Sequence, residues 1–120
     1  MTYEYFKLSE FDSPDEPGSG SNMDPTFLDA LDEARDLAGV PFRISSGFRS
    51  KAHNAEVGGV PSSAHCQGFA ADIACTGSRE RLLIVRALIS AGINRIGIST
   101  NFIHADASDT KSAEVLWLYP

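Results

Sequence analysis

Ser63-Ala64-His65-Cys66-Gln67-Gly68-Phe69-Ala70-Ala71-Asp72-Ile73-Ala74-Cys75 runs from a turn into a strand. Gly68 permits a tight turn, and the residues that follow it alternate between two faces. Phe69, Ala71, Ile73 and Cys75 share one face, while Ala70, Asp72 and Ala74 share the other. Upstream, Asp24-Pro25 offers an N-cap and a first helical position, with Phe27, Leu28, Leu31, Ala34 and Ala38 on one stripe and Gly39 as the stop. Phe42-Arg43-Ile44-Ser45 predicts a short strand, and residues 46–68 leave room only for a short helical turn after Ser50. Downstream, Ser78 is placed to cap a second helix carrying Leu82, Leu83, Val85, Leu88 and Ile89, closed by Gly92. Three short strands are expected near 95–99, 102–106 and 114–118. Helices and strands are segregated, without repeat or internal linker. The expected class is α+β, a small antiparallel sheet packed with two main helices, in one domain over residues 1–120.

With 42% hydrophobic residues among 120, the chain can bury a core, which excludes a wholly disordered protein. The net charge of −6 argues against a nucleic-acid partner and offers no attraction to anionic lipid. No run of 18 apolar residues is present, so no membrane span is expected. Met1 to Lys7 lacks the basic and apolar regions of a secretory signal, so synthesis in the cytoplasm is expected. Cys66 and Cys75 then read as two reduced thiols rather than a disulfide framework. Residues 1–36 hold ten acids against two bases, the remainder six against eight. The acidic loop at about 11–23 fits no EF-hand spacing and reads as a solvated loop.

The chemistry concentrates around two of the three histidines. A turn followed by a strand can bring His65 and Asp72 together, whereas seven residues of helix would separate them by roughly 10 Å. In Phe102-Ile103-His104-Ala105-Asp106, alternation puts His104 and Asp106 on one face and Ile103 and Ala105 on the other. Two His and one Asp would leave zinc an open fourth position, as a catalytic site requires. By spacing alone, the other reading stands beside it: isolated surface or core histidines.

The blocks Ile44-Ser45-Ser46-Gly47-Phe48-Arg49-Ser50, Ser63-Ala64-His65, Gly68, Ala70-Ala71-Asp72-Ile73 and Phe102-Ile103-His104-Ala105-Asp106, with His53-Asn54 and Val57-Gly58-Gly59-Val60 between, occur in a familiar order. They resemble the zinc D-Ala-D-Ala carboxypeptidase family, which includes phage endolysins and shares a fold with lysostaphin-type enzymes and the hedgehog domain. The resemblance implies zinc held by His65, Asp72 and His104 with water as fourth ligand, and attack on a peptidoglycan peptide bond. It places Arg49 at an arginine that contacts substrate or its developing oxyanion, a surface salt bridge being the other reading. Ser63 matches a serine that binds substrate, with turn formation as the alternative. His53-Asn54 reads as loop scaffolding rather than a group bridging the cleft.

Well-known members place Glu three residues before the last zinc-binding His, where this chain has Asn101. Asn cannot take a proton at neutral pH. Asp106 is the nearest carboxylate, either the base or a group that fixes an imidazole. Trp117 and Tyr119 suit a strand closing the core or a cleft wall, with core the expectation for Trp117. The expected protein is a monomeric zinc peptidase acting on the bacterial cell wall, a D-Ala-D-Ala carboxypeptidase or an L-Ala-D-Glu-type endopeptidase, of the phage or prophage lysis kind. A non-catalytic zinc-binding structural or phage virion domain is the competing class, favoured by Asn101.

Overall fold

Helix α1 covers Pro25–Ala38 in the computed structural model, which describes residues 3–120. The Asp24 side chain accepts from the Phe27 N–H, Pro25 needs no amide partner, and Gly39 at φ 69° turns the chain out. Helix α2, Lys51–Glu56, is capped by the Ser50 hydroxyl, which accepts from the His53 N–H at 3.0 Å. Helix α3, Ser78–Ser90, takes in the expected cap Ser78 as its first residue, so the cap lies one residue earlier. Gly77 is its N-cap, and the Glu80 carboxylate fills the space beside Gly77 that a side chain would take.

The strands are β1 (Ile44–Ser46), β2 (Ala70–Ala74), β3 (Arg95–Ile98), β4 (Phe102–Asp106) and β5 (Val115–Leu118). They form one sheet in the order β1-β2-β4-β3-β5. The expectation of an α+β domain holds, but the sheet is mixed rather than wholly antiparallel. The first three pairings are antiparallel, and β5 runs parallel to β3. Residues 107–114 carry the chain from β4 past β3, so the next strand enters the far edge in the direction of β3. One sheet face carries Ile73, Ile96, Ile103 and Ala105, and α1 and α3 close over it with Leu28, Leu31, Ile84 and Leu88, all buried. That apolar burial holds the layers together and leaves the opposite face for polar groups.

The acidic N-terminal segment is built in, not merely solvated. Two 3-10 helices, Leu8–Phe11 and Ser19–Asn22, flank it, and Asp12 accepts from the Gly18 and Gly20 N–H groups at 3.0 and 2.7 Å. Phe48 N–H donates to the Phe11 carbonyl at 2.8 Å, and Ser50 N–H to the Ser13 hydroxyl at 3.1 Å. Ser13 and Ser50 hydroxyls both donate to Asp15, at 2.5 and 2.6 Å, and these bonds hold its carboxyl below the usual range. The segment therefore braces the 47–50 stretch. Cys66 and Cys75 are both free. No helix among the described residues is long and apolar enough to cross a membrane.

Candidate metal centre

Asp72 and His104 lie directly opposite each other in the β2/β4 ladder, on the face away from the helices. His65 comes from the turn before β2. The Ser63 hydroxyl accepts from its N–H at 3.2 Å, and its carbonyl accepts from the Arg49 N–H at 3.1 Å. Gly68, at φ 79°, takes the left-handed conformation this turn needs, and a Cβ there would meet the Asn22 carbonyl oxygen at 2.3 Å. The result brings His65, Asp72 and His104 together, all buried, with one ligand atom from each within 4.8 Å of the others.

Proton accounting shows what the cluster wants between its atoms. His65 Nδ1 faces the Gly47 carbonyl at 2.8 Å, and a carbonyl only accepts, so Nδ1 carries the proton. His65 Nε2 is then a lone pair, aimed at Asp72 Oδ1 at 3.4 Å. His104 Nε2 faces Asp106 Oδ2 at 2.7 Å, and its Nδ1 faces Asp72 Oδ1 at 2.8 Å. Burial would raise the Asp106 carboxyl, but the hydrogen bonds from His104 and the Ser108 N–H, the His104 charge and the Arg95 hydrogen bond outweigh it and hold it below the usual range. Ionised Asp106 accepts, so Nε2 donates and Nδ1 turns its lone pair to Asp72.

Two lone pairs at 2.8 Å need a positive charge between them, either a second proton or a metal ion. Both tendencies follow from the same carboxylates. Burial opposes charge on His104, yet Asp106 and Asp72 override it and raise its pKa. Burial likewise opposes charge on Asp72, but where the positive charge is a second ring proton, hydrogen bonds and charge from His104 and His65 keep it well below the usual range. Tetrahedral zinc spaces such ligand atoms by about 3.3 Å, between the 2.8 and 3.4 Å found here. The donor set fits a divalent cation of the zinc type.

A cleft of about 280 Å³ opens above the cluster. Arg49 lines it, with Nε donating to the Ser46 hydroxyl, Nη1 to Asn54 Oδ1, and Nη2 at 3.6 Å from Asp72 Oδ2. Nε and one Nη1 N–H are hydrogen-bonded, and the two Nη2 N–H groups make no hydrogen bond, facing Asp72 only as a charge. Ser63 lines the cleft as well as making the turn. Trp117, expected in the core, is instead half-buried in the cleft wall, 5.5 Å from the His104 ring and 6.2 Å from Tyr119. Gly97, paired with both His104 and Trp117, makes this possible. A Cβ there would lie 2.7 Å from the indole and 2.6 Å from the Tyr119 ring.

Two residues read from the sequence stay outside. Asn101 sits exposed in the β3–β4 turn, its carbonyl accepting from the Cys75 N–H at 3.0 Å. His53 lies on α2, 3.9 Å from exposed Glu56, and does not line the cleft. Two others belong to the cleft without having been read from the sequence, Arg95 and Lys111. Arg95 Nε grips Asp106 Oδ1 at 2.6 Å, its guanidinium lies 5.2 Å from the Trp117 ring, and Nη1 donates to the Ser112 carbonyl. Folding β3 and β4 about the turn at 99–102 pairs Arg95 with Asp106, which was a usable signal. Lys111 lies on an irregular loop and gave none.

An α+β domain that brings an imidazole and a carboxylate of its sheet together with an imidazole from the preceding turn, on the floor of an open cleft, is a candidate mononuclear metal-binding protein of the hydrolase type. The family model for peptidase M15 matches residues 4–106, and the chain belongs to that family. The match spans every residue of the His65–Asp72–His104 cluster. No curated protein matches the chain.

Proposed function

We propose that the protein is a zinc-dependent peptidase acting on peptidoglycan stem peptides, at a D-Ala-D-Ala end or an L-Ala-D-Glu-type bond. The observation that carries this reading is the convergence of His65 Nε2 and His104 Nδ1 on Asp72 Oδ1, at 3.4 and 2.8 Å, with the Gly47 carbonyl and the Asp106 carboxylate placed to accept the other N–H of each ring. Membership of the peptidase M15 family supports the reaction class. His65, Asp72 and His104 would hold the ion, which supplies Lewis-acid polarisation and a lowered water pKa when bound.

The chain's own residues have distinct parts in this reading. Arg49 offers its two Nη2 N–H groups to the carbonyl oxygen of the scissile bond as negative charge develops there. Ser63 holds the turn that presents His65 and faces substrate from the rim. Asp106 holds His104 in its tautomer and is not the base, because both of its oxygens are already engaged by His104, Arg95 and the Ser108 N–H. Trp117 and Tyr119 form an apolar wall for the peptide. The proposal extends to a cell-wall lysis enzyme of the phage or prophage kind, acting as a monomer.

One observation favours the competing reading of a non-catalytic metal-binding domain. Among the described residues, the cleft's only carboxylates are Asp72 and Asp106, and both are committed. Digestion of purified peptidoglycan with and without a chelator separates the two. Peptidase action predicts, by mass spectrometry, either stem peptides with new amine termini or stems shortened by one D-alanine, lost on chelation and restored by zinc. Full zinc loading with neither product would leave the non-catalytic reading standing.

A further inference from the structure

The cleft balances its own charges except at one position. Arg49 faces Asp72, and Arg95 grips Asp106. Lys111 also lines the cleft, half-buried, and among the described residues no carboxylate lies within 4.0 Å of it. In a chain of net charge −6, an unmatched cation beside the metal cluster is a local reversal of sign.

The lysine is also placed by its surroundings. Its loop, residues 107–114, is moored on either side of it to the same buried pair. Ser108 N–H donates to Asp106 Oδ1 at 3.0 Å, and Arg95 Nη1 donates to the Ser112 carbonyl. The Ser108 and Thr110 hydroxyls meet at 3.3 Å and tighten the turn between them. The backbone at 111 is therefore fixed relative to Asp106, which itself orients His104. A flexible stem on a fixed base lets the ammonium reach a ligand within the cleft.

We propose that Lys111 is a specificity-determining residue that receives the free α-carboxylate of the amino acid following the scissile bond. The nature of the ligand rests on the peptidase reading above. Both candidate bonds share this chemistry. The leaving D-alanine of a D-Ala-D-Ala end carries a terminal carboxylate. The D-glutamate of an L-Ala-γ-D-Glu bond carries a free α-carboxylate beside the same amide. Arg95 is spent on Asp106, the Ser112 carbonyl and Trp117, and Arg49 is assigned above to the scissile carbonyl oxygen, which leaves Lys111 as the cleft cation free for a carboxylate.

The test uses uncleavable leaving-group products, D-alanine against D-alaninamide and D-glutamate against D-isoglutamine, titrated by NMR into the metal-loaded protein. Wild type is expected to bind the acid of at least one pair about 5–20-fold more tightly than the amide. The pair that shows the preference identifies which of the two sources the cleft takes. Lys111→Met should erase most of that preference and Lys111→Arg should keep it, with circular dichroism confirming that both variants fold. An acid preference of the same size in Lys111→Met, equal binding of acid and amide by wild type, or no saturable binding of any of the four overturns the proposal. Peptidoglycan digestion by the same preparations keeps the two readings apart. Cleavage with a lysine-independent preference removes Lys111 alone, and a lysine-dependent preference without cleavage removes the peptidase reading alone.

Discussion

Asp106 is 2% exposed, yet it carries an ionised carboxylate, and the cost of burying it is met by three donors: His104 Nε2, Arg95 Nε and the Ser108 N–H. Its removal should therefore register first in the metal. Asp106→Asn leaves a neutral amide that no longer enforces Nε2–H on His104 and leaves Arg95 without its counter-charge. Zinc affinity, measured by competition with a chromogenic chelator, is expected to fall about 10–100-fold. If Asp106 were instead the base, the same variant would keep its zinc affinity and lose at least about a hundredfold in rate. Wild-type values for both quantities would remove Asp106 from either role.

At the scale of elements, the stretch leaving β1 does two jobs. Gly47 lends its carbonyl to His65 Nδ1, and its bare Cα lies against the Phe11 backbone. An added Cβ would sit 2.6 Å from Phe11 Cα and 2.8 Å from its carbonyl oxygen, atoms that cannot swing aside. Gly47→Ala should therefore push the stretch away from the N-terminal segment and carry the carbonyl with it. We expect a loss of about 1–3 kcal/mol in urea unfolding together with weaker zinc binding, although no ligand is altered. Unchanged zinc binding in a destabilised variant would show that the His65 orientation does not depend on this contact. Alternation in residues 69–75 and 102–106 placed Asp72 and His104 correctly, because strand periodicity is local. The brace formed by Ser13 and Asp15 on Ser50 spans 37 and 35 residues, and no local pattern announces it. Trp117 was misplaced for a related reason: the side chain that decides its position is the one missing at Gly97, on another strand.

At the scale of the whole molecule, the buried charges set how stability follows pH. In the metal-free chain, Asp72 and Asp106 titrate below the ordinary carboxylate value of 3.8, so their contribution is present above it and is lost as pH falls through their lowered values. His104 titrates above the ordinary 6.5, so its contribution is full below 6.5 and is lost as pH rises through its raised value. Urea midpoints in chelator should thus peak between the two and decline on the alkaline side. With zinc present the alkaline decline should reverse, because binding requires His104 Nδ1 free of its proton and strengthens by about tenfold per pH unit for each proton displaced. Parallel curves with and without zinc would contradict a metal at this cluster. The opposed pair Asp72 and His104 has one more consequence, for how the chain finds its sheet. Strand β2 reads Ala-Ala-Asp-Ile-Ala, and three of its five side chains are interchangeable methyl groups that discriminate poorly between alignments. Sliding β2 one place along β4 would set Ala71 or Ile73 opposite His104 and send one ligand to the helix side of the sheet. An ion that requires both ligands on one face would then reward a single alignment, so that its capture proofreads strand pairing during folding.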